Sequence, residues 1–319
     1  MSNKEKSKRI RKLWGIIIAS TLFILLYQYG TQIIYSEQVQ TVFGVSKNAE
    51  EKISGESKPA QKAVIPILMF HHIDDESSNP WVITQATLEK DLRTIRDAGY
   101  QPVSMSQLIE YVYYGKDLPA KPMCITFDDG YLSNYERAYP LLKEYQMKAI
   151  IFAIGKTIGY QTYGDTNIPI TPHFSYKQAV EMMNSGLIEV QSHTYDMHQT
   201  AKLETQKPVR ESAAQLEGED DDVYIKALRD DLKKYQDEYT VHTESTLFAL
   251  AYPKGQYSEL TEQVVHEMGY KITLTTKSDH KNIIVQNRPE TLYQLGRFNV
   301  SEDTTAVELL QYLAEGYVK

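Results

Sequence analysis

The sequence predicts an α/β fold with parallel strands, either as a sheet or as an α/β barrel. Apolar runs of strand length alternate with segments of helical spacing from residue 63 to the end of the chain, which is typical of repeated strand–helix units. The polar groups "FHH", "FDDG" and "SHT" fall at the ends of three predicted strands. Barrel folds carry their chemistry at the carboxyl ends of strands, so these groups are the first candidates for a functional site.

Each predicted strand is a short apolar run, and each predicted helix repeats apolar residues at helical spacing. The strands cover 63–70, 123–127, 148–154, 187–192, 246–253, 270–276 and 292–300. The helices cover 87–99, 134–146, 175–186, 221–239, 258–269 and 304–316. Ser175 is the expected cap of the third helix, and Pro140 must start or kink the second. The polar, acidic stretch 206–222 is expected to be a solvated surface loop.

The first 36 residues have the pattern of a membrane anchor. Six Lys and Arg residues crowd positions 1–12, and residues 13–36 carry no charged side chain. Twenty-four helical residues span about 36 Å, which is enough for a hydrocarbon core of about 30 Å. The basic flank places the tail in the cytoplasm. Residues 37–62 then form a stalk, and a catalytic domain at 63–319 lies outside the membrane. A cleaved signal peptide is the alternative.

Composition limits the classes of function. The 319 residues give room for an ample core, and 42% hydrophobic and 24% charged residues are ordinary for a globular protein. A net charge of −8 argues against a nucleic-acid partner. The single cysteine, Cys124, excludes an intramolecular disulfide and a cysteine-rich zinc site.

Two adjacent carboxylates, Asp128 and Asp129, end the strand "MCITF" before a glycine. Asp-Gly is ordinary turn chemistry, but the same domain contains His193 and His198 in "SHTYDMH". A spacing of five residues puts two histidines on one face of neither a helix nor a strand, so a shared ion requires a loop. Two imidazoles and one carboxylate form a common catalytic zinc set, and cobalt or nickel would also fit.

The motifs "TFDDG" and "SHT…H" together resemble the polysaccharide deacetylases of the NodB-homology, carbohydrate esterase 4 type. The wider spacing in "SHTYDMH" and the upstream "LMFHHI" are most similar to the branch that de-N-acetylates poly-N-acetylglucosamine in biofilm matrices. The resemblance covers residues 64–300. It implies a distorted (β/α) barrel, a divalent metal and a polysaccharide substrate that contains N-acetylglucosamine.

The family pattern implies different roles for the paired carboxylates. Asp129, His193 and His198 match the metal ligands, and Asp128 matches the general base that deprotonates the attacking water. A cation beside one carboxylate relieves the repulsion and lowers the pKa of that carboxyl, while the other stays free to accept a proton.

The leaving amine also needs an acid. By alignment to the histidine motif of the poly-N-acetylglucosamine branch, the acid is His71, with its neighbour His72 as the alternative. Histidine suits the role because its pKa lies near working pH. The late histidines His266 and His280 lie in no matching motif.

The stretch "ALAYPKGQYSE" resembles the family's Arg-x-Pro-Tyr-Gly motif, with Ala251 at the arginine position and Lys254 at the tyrosine position. The backbone N–H of Lys254 can still bind the oxyanion. The absent arginine would have oriented the base, and Arg297 in "LGRFNV" is the candidate replacement; a structural salt bridge is its alternative role. Without a replacement, Asp128 would be poorly oriented and activity weak.

Two aromatic residues are candidates for contact with the sugar. Tyr131 follows "FDDG", and Trp81 lies in a polar loop after the histidine strand. Each could equally serve packing, Trp81 as the anchor of its loop.

The leading hypothesis is a membrane-anchored, extracytoplasmic, metal-dependent deacetylase of N-acetylglucosamine in a surface glycan. One alternative keeps the chemistry and changes the substrate to peptidoglycan or the glucosamine of a wall-polymer linkage unit. Another keeps the fold with a degenerate site, as a glycan-binding protein. A metallopeptidase is disfavoured because the chain has no His-Glu-x-x-His.

Overall fold

The computed structural model describes residues 60–164, 166–204 and 208–318. The predicted tail 1–12, the predicted anchor 13–36 and residues 37–59 of the predicted stalk lie outside these ranges. No helix within the described ranges is long and apolar enough to cross a membrane. Residues 60–62 belong to the folded unit, in which Lys62 pairs with Val285.

A curled parallel sheet forms the centre of the fold. The twelve described strands are β1 (Lys62–Val64), β2 (Ile67–Phe70), β3 (His72–Asp74), β4 (Val82–Thr84), β5 (Gln101–Pro102), β6 (Pro122–Asp129), β7 (Ala149–Ala153), β8 (Ile188–Ser192), β9 (Ala249–Ala251), β10 (Ile272–Leu274), β11 (Ile283–Val285) and β12 (Phe298–Asn299). Seven of them pair in the order β10-β9-β8-β7-β6-β2-β12, all parallel. Strand β5 adds to the start of β6, and β1–β11 and β3–β4 form separate pairs.

All the described α-helices except one were predicted from the sequence. They are α1 (Gln85–Asp97), α2 (Met105–Tyr114), α3 (Tyr139–Glu144), α4 (Tyr176–Asn184), α5 (Asp221–Thr243), α6 (Glu259–Glu267) and α7 (Ala306–Glu315). Helix α2 was not predicted, although Ser104 and Gln107 form a capping box at its start. Ser175 caps α4 as predicted. Pro140 lies in the first turn of α3, after one π-helical turn at 134–138.

Alternate residues of β6, β7 and β9 face two different apolar cores, as the period of two requires. One face packs against helices α1, α4, α5 and α6. The other face encloses a second core that includes α2. The sequence thus specifies an α/β fold with a curled parallel sheet, consistent with the predicted (β/α) barrel. The predicted strand 63–70 is interrupted at Pro66, which has no backbone N–H to donate.

The stretch predicted as a solvated acidic loop is packed onto the domain. Residues 208–220 contain no helix or strand, but Ala213 is fully buried and Arg210 pairs with Glu219. The Tyr224 hydroxyl donates to the Ala213 carbonyl at 2.7 Å, which ties the loop to α5. The expectation of a solvated loop was therefore wrong for its central part, and its last two residues begin α5.

Candidate active site and metal centre

A cavity of about 570 Å³ opens at the carboxyl ends of the central strands. All the predicted site residues except Arg297 line it. They are His71, Trp81, Asp128, Asp129, Tyr131, His193, His198 and Lys254. Arg297 lies behind the cavity wall and is fully buried.

The end of β6 turns so that both of its carboxylates face the cavity. Consecutive side chains of a strand normally point to opposite faces. Asp129, however, has a φ of 71° and Gly130 a φ of 83°, so the chain leaves the strand conformation at this point. A Cβ on Gly130 would lie 2.8 Å from the Cβ of Ala153, so only glycine fits this turn.

Three predicted ligands converge on one point. The ligand atoms of Asp129, His193 and His198 all lie within 4.8 Å of one another. Asp129 Oδ1 is 3.6 Å from His193 Nε2 and 3.5 Å from His198 Nε2. This oxygen is buried and has no hydrogen-bond partner among the described residues. His193 Nδ1 donates to the Ala251 carbonyl at 2.7 Å, which leaves Nε2 free for a cation. The donor set therefore fits a divalent metal.

The loop between the two histidines explains how residues five apart reach the same point. Thr194 adopts a φ of 68°, which is unfavourable for a β-branched residue and reverses the chain. The carboxylate of Asp231 on α5 accepts from the backbone N–H groups of Tyr195 and Asp196, each at 2.8 Å. Sequence reasoning missed Asp231, because it looks like any other charge on a polar helix.

Arg297 makes a two-point ion pair with Asp128. Its Nη1 is 2.6 Å from Oδ1 and its Nη2 is 2.8 Å from Oδ2. Its Nε donates to the Thr275 carbonyl at 3.0 Å, and Nη1 is 3.3 Å from Thr126 Oγ1. Burial alone would raise the pKa of Asp128, but the charges of Arg297 and His193 outweigh it and hold that pKa below its usual value. Arg297 therefore contacts Asp128, although this protein has Ala251 at the position of the family's motif arginine.

The two early histidines have different surroundings. His72 Nδ1 is 2.8 Å from Ser133 Oγ, and its Nε2 is 3.6 Å from the Asp74 carboxylate. His71 Nδ1 is buried without a hydrogen-bond partner among the described residues, and its ring lies 4.9 Å from that of Trp81. Burial lowers the pKa of His71, although the nearby carboxylates oppose the shift. His72 is thus engaged at both ring nitrogens, whereas His71 is not.

The late histidines lie elsewhere. His266 Nε2 is 3.0 Å from Glu262 on its own helix, and His280 Nδ1 is 2.9 Å from Asp279. Neither is among the described residues that line the cavity.

The other predicted site residues form the walls of the cavity. Lys254 has a φ of 57° within a 3₁₀ turn, and its Nζ is 3.1 Å from Glu211. The ring of Tyr131 lies 5.0 Å from those of His72 and His173. The charge of the Asp129 carboxylate and burial raise the pKa of Tyr131 well above its ordinary value. The Trp81 side chain is half exposed at the rim.

Comparison with known proteins places this geometry in a family. The family model for polysaccharide deacetylases matches residues 115–273. YxkH of Bacillus subtilis, itself assigned by prediction to the polysaccharide deacetylases, is 32% identical over 252 residues, which cover 79% of this chain and 77% of YxkH. The poly-β-1,6-N-acetyl-D-glucosamine N-deacetylase of Escherichia coli is 27% identical over 67% of this chain. The match spans only 34% of that longer protein.

A solved structure shows the same fold. A de-N-acetylase from Aggregatibacter actinomycetemcomitans superposes with a TM-score of 0.65 at 22% identity, covering 78% of this chain and all of that one. The predicted family is confirmed by these matches. The chain belongs to the polysaccharide deacetylases of the NodB-homology, carbohydrate esterase 4 type.

Proposed function

We propose that this protein is a metal-dependent hydrolase that removes N-acetyl groups from N-acetylglucosamine residues of an extracellular or cell-wall polysaccharide. The observation that carries the proposal is the different surroundings of the two adjacent carboxylates. Asp128 is held by Arg297 at 2.6 and 2.8 Å, whereas Asp129 turns towards His193 and His198. One cavity thus offers a fixed proton acceptor beside a cation site.

The residues that would hold the cation are Asp129, His193 and His198. Their donor set suits zinc, and cobalt or nickel would fit it too. A cation bound there supplies Lewis-acid polarisation of the acetyl carbonyl and lowers the pKa of a water beside it.

The proton transfers are assigned to residues of the chain itself. Asp128 accepts a proton from the attacking water as the water oxygen bonds to the acetyl carbon. Arg297 keeps both carboxylate oxygens of Asp128 in place for this step. The carbon–nitrogen bond then breaks, and protonated His71 gives its proton to the leaving nitrogen. The products are acetate and a free glucosamine amine.

The walls of the cavity supply binding and orientation. The backbone N–H of Lys254 is the candidate donor to the oxyanion that forms on the acetyl group. The half-exposed indole of Trp81 offers a flat apolar face to a hexosamine ring, and Tyr131 closes the floor beside Asp129.

A poly-N-acetylglucosamine-like polymer is the favoured substrate. The E. coli relative is named for de-N-acetylation of that polymer, which supports the choice. The basic residues 1–12 followed by the uncharged run 13–36 support a single-pass anchor, with the catalytic domain on the extracytoplasmic side of the cell membrane. The glycan-binding alternative rested on the missing motif arginine, and the contact of Arg297 with Asp128 removes that support.

Acetate release by the full-length protein tests the proposal. The substrates are a β-1,6-linked N-acetylglucosamine oligomer and peptidoglycan fragments, with and without added zinc. Asp128→Asn is the test variant, and Asp237→Asn, an exposed carboxylate paired with Lys233, is the matched control. Metal-dependent release from the oligomer that Asp128→Asn abolishes supports the proposal. Release from peptidoglycan alone would make peptidoglycan the substrate. No release from the oligomer or from peptidoglycan, with metal bound, would favour a glycan-binding protein.

A further inference from the structure

The segment that carries Arg297 passes from β10, at one edge of the sheet, to β2, near the other edge. Leu295 pairs with β10, because its N–H donates to the Thr273 carbonyl at 2.9 Å and its carbonyl accepts from the Thr275 N–H at 2.8 Å. Three residues later, β12 pairs with β2. Gly296 lies between these two pairings, and neither β10 nor β2 takes up its N–H and carbonyl groups. A buried peptide group without a partner would be costly.

The side chain of Asn282 supplies these missing partners. Its Oδ1 accepts from the Gly296 N–H at 2.7 Å, and its Nδ2 donates to the Gly296 carbonyl at 2.8 Å. The same Nδ2 also donates to the Ile65 carbonyl at 3.0 Å. Asn282 is only 3% exposed, so water does not compete for these bonds. One amide thus ties the Gly296 peptide to the residue two positions before β2.

Close packing fixes the same peptide from the other side. A Cβ on Gly296 would lie 2.2 Å from the backbone carbonyl oxygen of Lys277, so any other residue would push the segment outward. The N–H of the next residue, Arg297, donates to this carbonyl at 2.9 Å. The backbone ahead of the arginine is therefore held by Asn282 and by Lys277.

We propose that Asn282 is a positioning residue for the reaction, acting through Gly296 and Arg297 on the general base Asp128. The inference rests on the proposed function. A two-point contact between a guanidinium and a carboxylate depends on the place of the arginine backbone, and a displacement of about 1 Å costs both bonds their geometry. Loss of the Asn282 amide frees the Gly296 peptide and lets Arg297 withdraw from Asp128.

The test combines two variants with a double-mutant cycle in the full-length protein. Asn282→Asp keeps the shape but replaces the donor Nδ2 by an oxygen, and Asn282→Ala removes the amide. Gln191→Ala is the matched control, because Gln191 is a buried amide that accepts from the Phe248 and Ala249 N–H groups at the start of β9. Each change is made in the parent chain and in Arg297→Ala.

The inference predicts a 10- to 100-fold fall in kcat for both Asn282 variants, with KM and zinc affinity within twofold of the parent. In the Arg297→Ala background the same change costs less than threefold, because its effect runs through the arginine. Gln191→Ala lowers the unfolding temperature but leaves kcat within twofold. Equal losses in both backgrounds, or an unchanged kcat in a folded Asn282→Ala protein, overturn the inference.

A measurement without substrate separates this inference from the proposed function. The Nε–H of Arg297 is buried on the Thr275 carbonyl, so its NMR signal is expected to exchange slowly with solvent. Asn282→Ala accelerates that exchange at least tenfold, and Gln191→Ala does not. If the parent protein releases no acetate, this signal still tests whether Asn282 holds Arg297 in place. An unchanged exchange rate in Asn282→Ala overturns the inference.

Discussion

Arg297, directly before β12, and Asp128, near the end of β6, form a fully buried, two-point ion pair. The guanidinium does not come from the family's arginine position, where this protein has Ala251, but from a residue later in the chain. Both carboxylate oxygens of Asp128 are used, so the orientation of the carboxylate is fixed.

Replacement of Arg297 tests the orientation of the base. Arg297→Lys keeps the positive charge but cannot contact both oxygens, so we expect kcat to fall 10- to 100-fold with little change in the unfolding temperature. Arg297→Met leaves a buried, uncompensated carboxylate and is expected to lower the free energy of unfolding by about 3–5 kcal/mol. Steady-state acetate release and chemical denaturation measure the two effects. Arg288→Lys, at an exposed pair with Glu290, is the control that should change neither.

Alanine variants of the neighbouring histidines test which one is the acid. His71→Ala is expected to lower kcat by about 10²- to 10⁴-fold at unchanged metal content, the usual loss for a general acid. His72→Ala removes the contact with Ser133 and is expected to reduce stability more than kcat. Acetate release, metal analysis and thermal unfolding of the two variants give the comparison. A larger loss of kcat in His72→Ala would exchange the two roles.

Replacement of Asp231 tests whether its carboxylate supports the loop between His193 and His198. In Asp231→Asn the amide group faces one of the two backbone N–H donors, so the loop between His193 and His198 loses one bond and gains a repulsion. We expect zinc affinity to fall about 10- to 100-fold while the fold is kept. Competition with a chelator measures the affinity without substrate. Asp230→Asn changes the exposed neighbour on the same helix, which pairs with Lys226, and should leave zinc affinity unchanged.

The buried Asp91 carboxyl is expected to make the stability of the folded protein depend on pH. Its side chain is buried, and neither carboxylate oxygen has a hydrogen-bond partner among the described residues. Burial raises its pKa from 3.8 to about 7, with Lys90 opposing and Glu302 adding to the shift. A carboxyl whose pKa is higher in the folded than in the unfolded state holds its proton more tightly in the folded protein. Its contribution to stability is fully present below the unfolded pKa and is lost as pH rises through the folded pKa.

The Asp91→Asn variant should therefore gain stability relative to the parent as pH rises from 5 to 8, by about 2–3 kcal/mol. Urea unfolding at the two pH values measures this difference. Asp97→Asn is the control, since Asp97 is exposed on the same helix beside Arg96. If the difference in stability between the parent and Asp91→Asn is the same at both pH values, the raised pKa of Asp91 is contradicted.

Most strands and helices could be predicted because their apolar periodicity is local information. The candidate metal site could be predicted as a set because Asp129 and the two histidines lie in short motifs of chemically specific residues. The turn that brings the carboxylates together could not, because nothing in "DDG" shows that Asp129 itself leaves the strand conformation. The same holds for Thr194, a residue type that normally disfavours a positive φ.

Residues that act across long sequence separations were the hardest to identify. Asp231 and Asn282 are single polar residues in ordinary surroundings, and their roles follow only from which backbone groups they meet. Arg297 was proposed because an arginine was missing elsewhere, yet its contact with Asp128 depends on the pairing of β12 beside β2. The packing of residues 208–220 was missed for the same reason, since it depends on Tyr224 in the following helix.

The passage of residues 295–299 from β10 to β2 links the order of synthesis to the onset of activity. Synthesis delivers Asp128 and the three proposed metal ligands well before Arg297, so a partly made chain has the Asp128 carboxylate without its guanidinium partner. The proposed base becomes oriented only when the final strand and the arginine before it dock. A chain that is released early or stays frayed at this strand is therefore expected to be silent as a hydrolase, whatever metal it has acquired.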